Sequence, residues 1–237
     1  MNKEGGRNGK MYLVILVVIA ILAVALVRAD PLGTNLNRGA SSRGTNPDVA
    51  TNEAQAGNVT ALNIDQTRIT DVWQGFYGNV SGGITLESGA GDSFYDWTLM
   101  EITGEIFATR NTIKDWTNMN CTNSTQWEEE ENELNIPLTS TEGINETYKD
   151  TTHPSFFIGS KTIPADYCKS TRPYNSTGQP GDFYNVLLNS NLTNTVYTVV
   201  LSDDSSSFDG GTSDFEILLP TDRSTGTATY YFYAELD

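Results

Sequence analysis

One histidine, His153, and two cysteines are all this chain has of the residues most often recruited for catalysis or transition-metal binding. A lone histidine permits a single Ser-His-Asp arrangement, and no Gly-x-Ser-x-Gly elbow accompanies it, so His153, in a loop ahead of Pro154, reads as a plain surface residue. No phosphate-cradling Gly-rich loop and no His-Glu-x-x-His pair occurs. Carboxylate pairs for glycoside hydrolysis can be drawn from any chain with 30 acidic residues, so their presence has no evidential weight. Without a Cys-x-x-Cys pair, a Cys/His metal site is not expected either. These absences point away from an enzyme. Basic residues are scarce as well, 14 against 30 acidic ones for a net charge of −16. Such a surface repels phosphates, which argues against nucleic acid as a partner.

What the chain does have is one long apolar run. Residues 11–27, MYLVILVVIAILAVALV, carry no charge, and Lys3, Arg7 and Lys10 ahead of them outnumber Glu4. That basic excess is held on the cytoplasmic side, so everything after the run is exported. At about 1.5 Å per residue the run makes a helix of roughly 25 Å, a little short of a ~30 Å hydrocarbon core, with Tyr12 and Arg28 available as interfacial ends. Three fates stay open for residues 1–29. They are a signal peptide cut near the small residues Ala23, Ala25 and Ala29, a retained membrane anchor, or a pilin-like helix freed by a cut before Met11 that becomes a filament core. In each, the domain is extracellular or at the cell surface.

With Lys3, Arg7, Lys10, Arg28 and Glu4 set aside, the exported part holds 10 basic and 29 acidic residues, a composition suited to solubility outside a cell. Both cysteines, Cys121 and Cys168, lie in it. A compartment without a glutathione pool permits them to pair, and closing that loop stabilises a fold by roughly 4 kcal/mol on the chain-entropy estimate. Seven Asn-x-Ser/Thr sequons, at Asn58, Asn79, Asn120, Asn123, Asn145, Asn175 and Asn191, predict a glycoprotein.

Residues 30–55 are Asn, Gly, Ser and Thr with scarcely an aliphatic side chain, and predict a flexible linker that holds the domain off the membrane. From residue 56 the pattern changes. Short runs rich in Val, Ile, Thr, Tyr and Phe recur between Gly, Asn, Asp and Ser clusters, without a 3.6-residue period. Strands are expected at 59–64, 71–77, 83–86, 94–99, 104–109, 156–158, 185–188, 195–201, 215–219 and 227–236. Ten short strands suit an all-β, two-sheet sandwich or jelly roll over 56–237. Tyr230, Tyr231, Phe232 and Tyr233 would project aromatics to both faces of a strand, which should therefore be covered on both sides. Residues 110–182, polar and holding both cysteines, read as a long insertion pinned by the disulfide, with one short helix at 127–134. The acidic run 128–131 within it reads as a solvated loop.

Two stretches carry binding chemistry. In LSDDSSSFDGGTSDF the oxygen donors Asp203, Asp204, Asp209 and Asp214 stand close enough in sequence to fold around calcium, the one cofactor considered, although Asp with Gly also builds ordinary hairpin turns. Trp73, Phe76, Tyr77, Phe94, Tyr95 and Trp97 cluster early, and an exposed Trp or Tyr beside acids grips a sugar ring. Alternation sends at least half of them inward, so Trp73 and Trp97 are expected in the core.

The segments WQGFYGNVSGGITL, SFYDWTL and GEIFATR, with VYTVVL, FDGGTSDFEILLP and TYYFYAEL closing the chain, resemble a set of exported archaeal surface proteins that share the Trp-x-Gly-x-Tyr-Gly-Asn opening and the aromatic ending. The resemblance spans about residues 70–237 and implies an archaeal cell surface, with no activity and no site residue. The expected function is a structural or adhesive surface glycoprotein. The alternatives are a filament subunit, in which residues 11–27 or a strand at 59–64 would complete a neighbour's sheet, and a calcium- or sugar-binding module.

Overall fold

The computed structural model describes residues 30–98, 102–190 and 194–236. In chain order its elements are β1 (Leu32–Gly33), β2 (Trp73–Gly78), β3 (Gly83–Glu87), β4 (Ser93–Thr98), β5 (Gly104–Thr109), β6 (Met119–Cys121), α1 (Ser124–Glu133) and α2 (Ile144–Thr147). There follow β7 (Phe156–Ile158), β8 (Lys161–Ile163), β9 (Ser170–Thr171), β10 (Asn185–Ser190), β11 (Asn194–Val200), β12 (Ser205–Ser206), β13 (Thr212–Ser213), β14 (Phe215–Pro220) and β15 (Tyr231–Leu236). The fold is mostly antiparallel β. One seven-stranded sheet runs β1-β15-β5-β11-β10-β6, with β9 also pairing β10, and smaller two-stranded sheets join β14 to β2, β3 to β4, β7 to β8 and β12 to β13.

The central strands are apolar on both sides because both sides are covered. In β5, Ile106 and Ala108 face one cluster and Phe107 the other; in β11, Tyr197 and Val199 oppose Val196; in β10, Leu187 opposes Val186 and Leu188. Register stacks like with like, setting Tyr197 opposite Ala108 and Leu187, and Ala234 opposite Ile106. Over the first face lie Ile217 and Leu219 of β14, Trp73 and Phe76 of β2, and Ile144 and Tyr148 around α2. Asn185 clips the two sheets together, its Nδ2 donating to the Glu216 carbonyl and its Oδ1 accepting from the Leu218 N–H, both at 2.8 Å.

Residues 110–182 correct the sequence reading. Far from a polar excursion, they supply the cover of the second face, where Ile113, Trp116, Phe156, Ile158, Ile163 and Cys168 cluster with Phe107, Val186 and Leu188, and part of the first, through Trp127, Ile144 and Tyr148. These apolar residues are too widely spaced to stand out in a polar background, yet each is buried, Trp127 in part. The helix expected at 127–134 is α1, begun three residues earlier by a capping box in which Asn123 and Gln126 each accept the other's backbone N–H. Helical period also corrects the solvated reading of the acidic run: Glu130 and Glu131 turn inward while Glu128 and Glu129 stay outside.

The stretch 59–64 forms no strand, and Val59, Leu62 and Ile64 are exposed; three apolar side chains interspersed with polar ones form too small a face to bury. Within the span read as linker, Leu32 and Gly33 pair with Ala234 and Tyr233, so the chain joins the main sheet's edge before it runs through irregular, exposed backbone to residue 72. The aromatic ending does as expected: Phe232 and Ala234 pack on the first face and Tyr233 on the second. Residues 11–27 lie outside the described residues, among which no helix is long and apolar enough to cross a membrane.

Candidate functional site

β3 and β4 pair only with each other, a hairpin closed at Ser88–Asp92, where the Ser88 hydroxyl accepts the N–H groups of Ala90 and Asp92 and Gly91 takes φ of 87°. Register sets Ile84 opposite Trp97 and Leu86 opposite Tyr95, so alternation gathers these four apolar side chains on one face and leaves Thr85, Glu87 and Asp96 on the other. Phe94 is the extra residue of a bulge between Leu86 and Glu87. Among the described residues this apolar face is left exposed. Trp97 is 48% exposed and Phe94 82%, while the Tyr95 and Trp97 rings pack on each other, centroids 4.8 Å apart. Trp97 thus overturns its assignment to the core, because the sheet that would bury it ends at β2. Trp73, by contrast, is half buried, its indole N–H donating to the Glu142 carbonyl at 2.8 Å.

The hairpin springs from the rim of a cleft of about 2490 Å³. One wall is the β2–β14 sheet, with Phe76 and Ile217; the other is the β5 and β15 side of the main sheet, with Ile106, Phe232 and Ala234. Phe76 and Phe232 meet edge to face at 6.0 Å where the walls converge. Beyond β2 no further strand is paired among the described residues, so the smaller sheet stops short of β15; Ile106 and Ile217 are buried at the cleft floor, and Phe76, Phe232 and Ala234 are left half buried along it. Asp214 sets the rim: it is buried, with Oδ2 accepting from the Val80 N–H at 2.7 Å and Oδ1 from the Asp204 N–H at 3.2 Å. Val80 is thereby held at the exit of β2, and the chain leaves toward the hairpin.

Charge sorts the two features. The hairpin carries Glu87, Asp92 and Asp96 and no basic residue. Arg38, Arg43, Lys149, Arg172 and Arg223 line the cleft, half of the basic residues after position 29, balanced there by as many acidic ones. The cleft is close to neutral in a strongly acidic chain.

The cation candidates go elsewhere. Asp209 accepts from the Gly211 N–H at 3.0 Å, a turn contact; Asp214 is committed to two backbone donors; Asp203 and Asp204 sit exposed in the neighbouring turn. Among the described residues no group of three or more acidic, His or Cys side chains is placed to share a metal. His153 corrects its surface reading: it is buried, with Nε2 accepting the N–H groups of Tyr167 at 3.2 Å and Cys168 at 2.9 Å and Nδ1 against the Pro154 carbonyl. With Nε2 an acceptor, the ring proton sits on Nδ1, and the imidazole serves as a loop clip. No family model, curated protein or solved structure matches this chain.

Other polar clusters are structural by the same test of partners. Arg110 forks onto Glu130 through Nε at 2.9 Å and Nη2 at 2.8 Å, which raises its already high pKa, and Tyr197 donates to Glu130 at 3.4 Å. Burial pushes the hydroxyls of Tyr148, Tyr197 and Tyr230 above the usual phenol range, and Tyr148 and Tyr230 donate to the carbonyls of Leu218 and Pro220. Burial pushes Glu131 up, against the N–H groups of Ile144 and Asn145 that it accepts. Burial acts on Glu142 in the same direction, but hydrogen bonds from Thr70, Arg68 and the Asp71 N–H outweigh it and hold this carboxyl below its ordinary value.

Cys121 and Cys168 form a disulfide with Cα atoms 5.1 Å apart. It ties β6 to the loop before β9, and both strands pair with β10. Of the sequon asparagines, Asn58, Asn79, Asn120 and Asn123 are exposed, Asn145 and Asn175 are half buried, and Asn191 lies outside the described residues. Asn120 is the one on a described strand, and its side chain faces solvent. What sequence reasoning missed is the open cleft; the signal was the count of alternating strands that could flank β2.

Proposed function

We propose that this chain is a non-enzymatic structural glycoprotein of an archaeal cell surface, exported by residues 11–27 and working through contacts of its β domain. Its fold in this reading is a two-layer sandwich in which the layer holding β2 and β14 is incomplete, backed on the far side by residues 110–182. The observation that carries the proposal is the Cys121–Cys168 bond, made between the chain's only two cysteines and buried against the main sheet. Such bonds belong to oxidising compartments. Four exposed sequons and the uncharged run at 11–27 support the same location, and the resemblance to archaeal surface proteins supports the source. An open apolar cleft beside an uncovered apolar hairpin suits a component that works by association rather than by chemistry.

Protease added to intact cells tests the location. The domain should be lost from the cell fraction while a cytoplasmic marker survives, and peptides recovered from it should carry glycans. A domain that resists protease until the cells are lysed would overturn the reading. Mapping the N-terminus of native material then separates the three fates: a start near residue 26 or 30 for a cleaved signal, Met1 or Asn2 for an anchor, and Met11 for a pilin-like subunit.

A further inference from the structure

We infer that the apolar face of the β3–β4 hairpin seats in the open cleft of a second copy of this chain, each copy receiving the other's hairpin in a closed two-fold dimer. The two features are each other's missing half. Ile84, Leu86, Tyr95 and Trp97 form an apolar face that is exposed among the described residues, and a two-stranded hairpin alone in water is marginal. The cleft exposes half-buried Phe76, Phe232 and Ala234 along a sheet of only two strands, and among the described residues the outer edge of β2 is unpaired, offering N–H and C=O groups to an incoming strand. Both lie in one molecule, the hairpin rooted at the cleft rim through Gly83 and Ile84, so a two-fold axis near that rim brings each hairpin to the other's cleft.

Area and charge fit a second copy. Four half-exposed side chains of this size offer about 400 Å² per hairpin; two hairpins and two cleft walls then bury roughly 1,600 Å² in all, the size of a standard stable interface. The hairpin's three acids would meet repulsion over most of this acidic chain, and least in the cleft, where the basic residues gather. Closure within one copy is opposed by the rim: Val80 is tied to Asp214, so the four residues 79–82 between β2 and β3 have little slack to fold the hairpin back. Its place at a cell surface rests on the reading above; the contact itself does not.

The test uses full-length protein in detergent, with mass from light scattering corrected for the micelle. Wild type should be a dimer. Tyr95→Ser with Trp97→Ser should raise the dimer dissociation constant about 100-fold, the loss of two aromatic anchors, without changing the melt of the body. Arg38→Glu with Arg43→Glu should weaken it from the cleft side and leave the hairpin intact. A monomeric wild type, with or without a bound glycan, overturns the proposal, as does a dimer that ignores the hairpin substitutions or a ladder of higher species. Because the readout is mass, its failure leaves the protease result on intact cells untouched, and the reverse holds too.

Discussion

Reducing the Cys121–Cys168 bond is the perturbation whose size follows most directly from the structure. The two cysteines are 47 positions apart, and opening a loop of that length returns chain entropy to the unfolded state amounting to about 4 kcal/mol at 25 °C. The native cost should be smaller, because β6 and β9 remain paired to β10 and Cys168 stays wedged among Phe156, Ile163 and Val186. A domain of this size loses about 2–4 °C of melting temperature per kcal/mol, so reduction should lower the midpoint by about 8–16 °C. The assay is thermal unfolding followed by circular dichroism, with and without reductant, and with thiol labelling of the denatured sample to count free cysteines. Cys121→Ala with Cys168→Ala should fall slightly below reduced wild type, since it also removes buried sulfur. A midpoint that moves by less than about 2 °C while both thiols label would refute the entropic reasoning. Labelled thiols without any reductant would remove the bond, and with it the main support for an exported domain.

Asn185→Ala should cost about 3 kcal/mol, because it leaves the buried Glu216 carbonyl and Leu218 N–H of β14 without partners; a chemical-denaturation midpoint within error of wild type would mean the two sheets are held by apolar contact alone. Glu131 has a folded pKa raised by burial, so its contribution is fully present below the ordinary glutamate value near 4.3 and is lost as pH climbs through the folded value. Glu131→Gln keeps an acceptor for the Ile144 N–H and should make stability flatter above about pH 4.3; identical pH profiles of wild type and variant would disprove it. At the sequon of Asn123, Thr125→Ala should remove a glycan at little cost to folding, whereas Asn123→Ala should also remove the α1 cap and lower stability by about 1 kcal/mol. Equal melts for the two, with mass spectrometry confirming both lose the sugar, would show that the cap is dispensable.

Short runs of β-branched and aromatic residues between turn formers were enough to find β5, β7, β10, β11 and β14, because these strands are buried on one or both faces and their apolar content survives locally. The disulfide was legible from counting. Less visible were the short strands β6, β8 and β9, two or three residues each, which owe their existence to neighbours on β10 and elsewhere rather than to any pattern of their own. His153 deceived for a related reason: a polar ring ahead of a proline reads as surface, and only the fold brings two N–H groups from 14 and 15 residues downstream onto Nε2. Residues 59–64 erred the other way. Val59, Leu62 and Ile64 satisfy a loose strand pattern, yet they stay exposed and pair with no strand.

Trp97 bears most on function, because the rule that failed there is the rule that holds elsewhere. An amphipathic hairpin is a sequence written for burial, and this one alternates with its apolar side exposed among the described residues. The edge of β15 is handled differently: Leu32 and Gly33 lie along it and the Thr34 N–H reaches the Phe232 carbonyl at 3.3 Å, a short strand of the kind that blunts an edge against adventitious pairing. The edge of β2 has no such guard among the described residues, and half-buried Phe76, Phe232 and Ala234 line the cleft next to it. A chain that protects one sheet edge and leaves another bare beside a matching apolar hairpin separates the edge it must hide from the edge it uses. That asymmetry is why the cleft, rather than the acidic turn at 203–214 or the long insertion, is where association is expected.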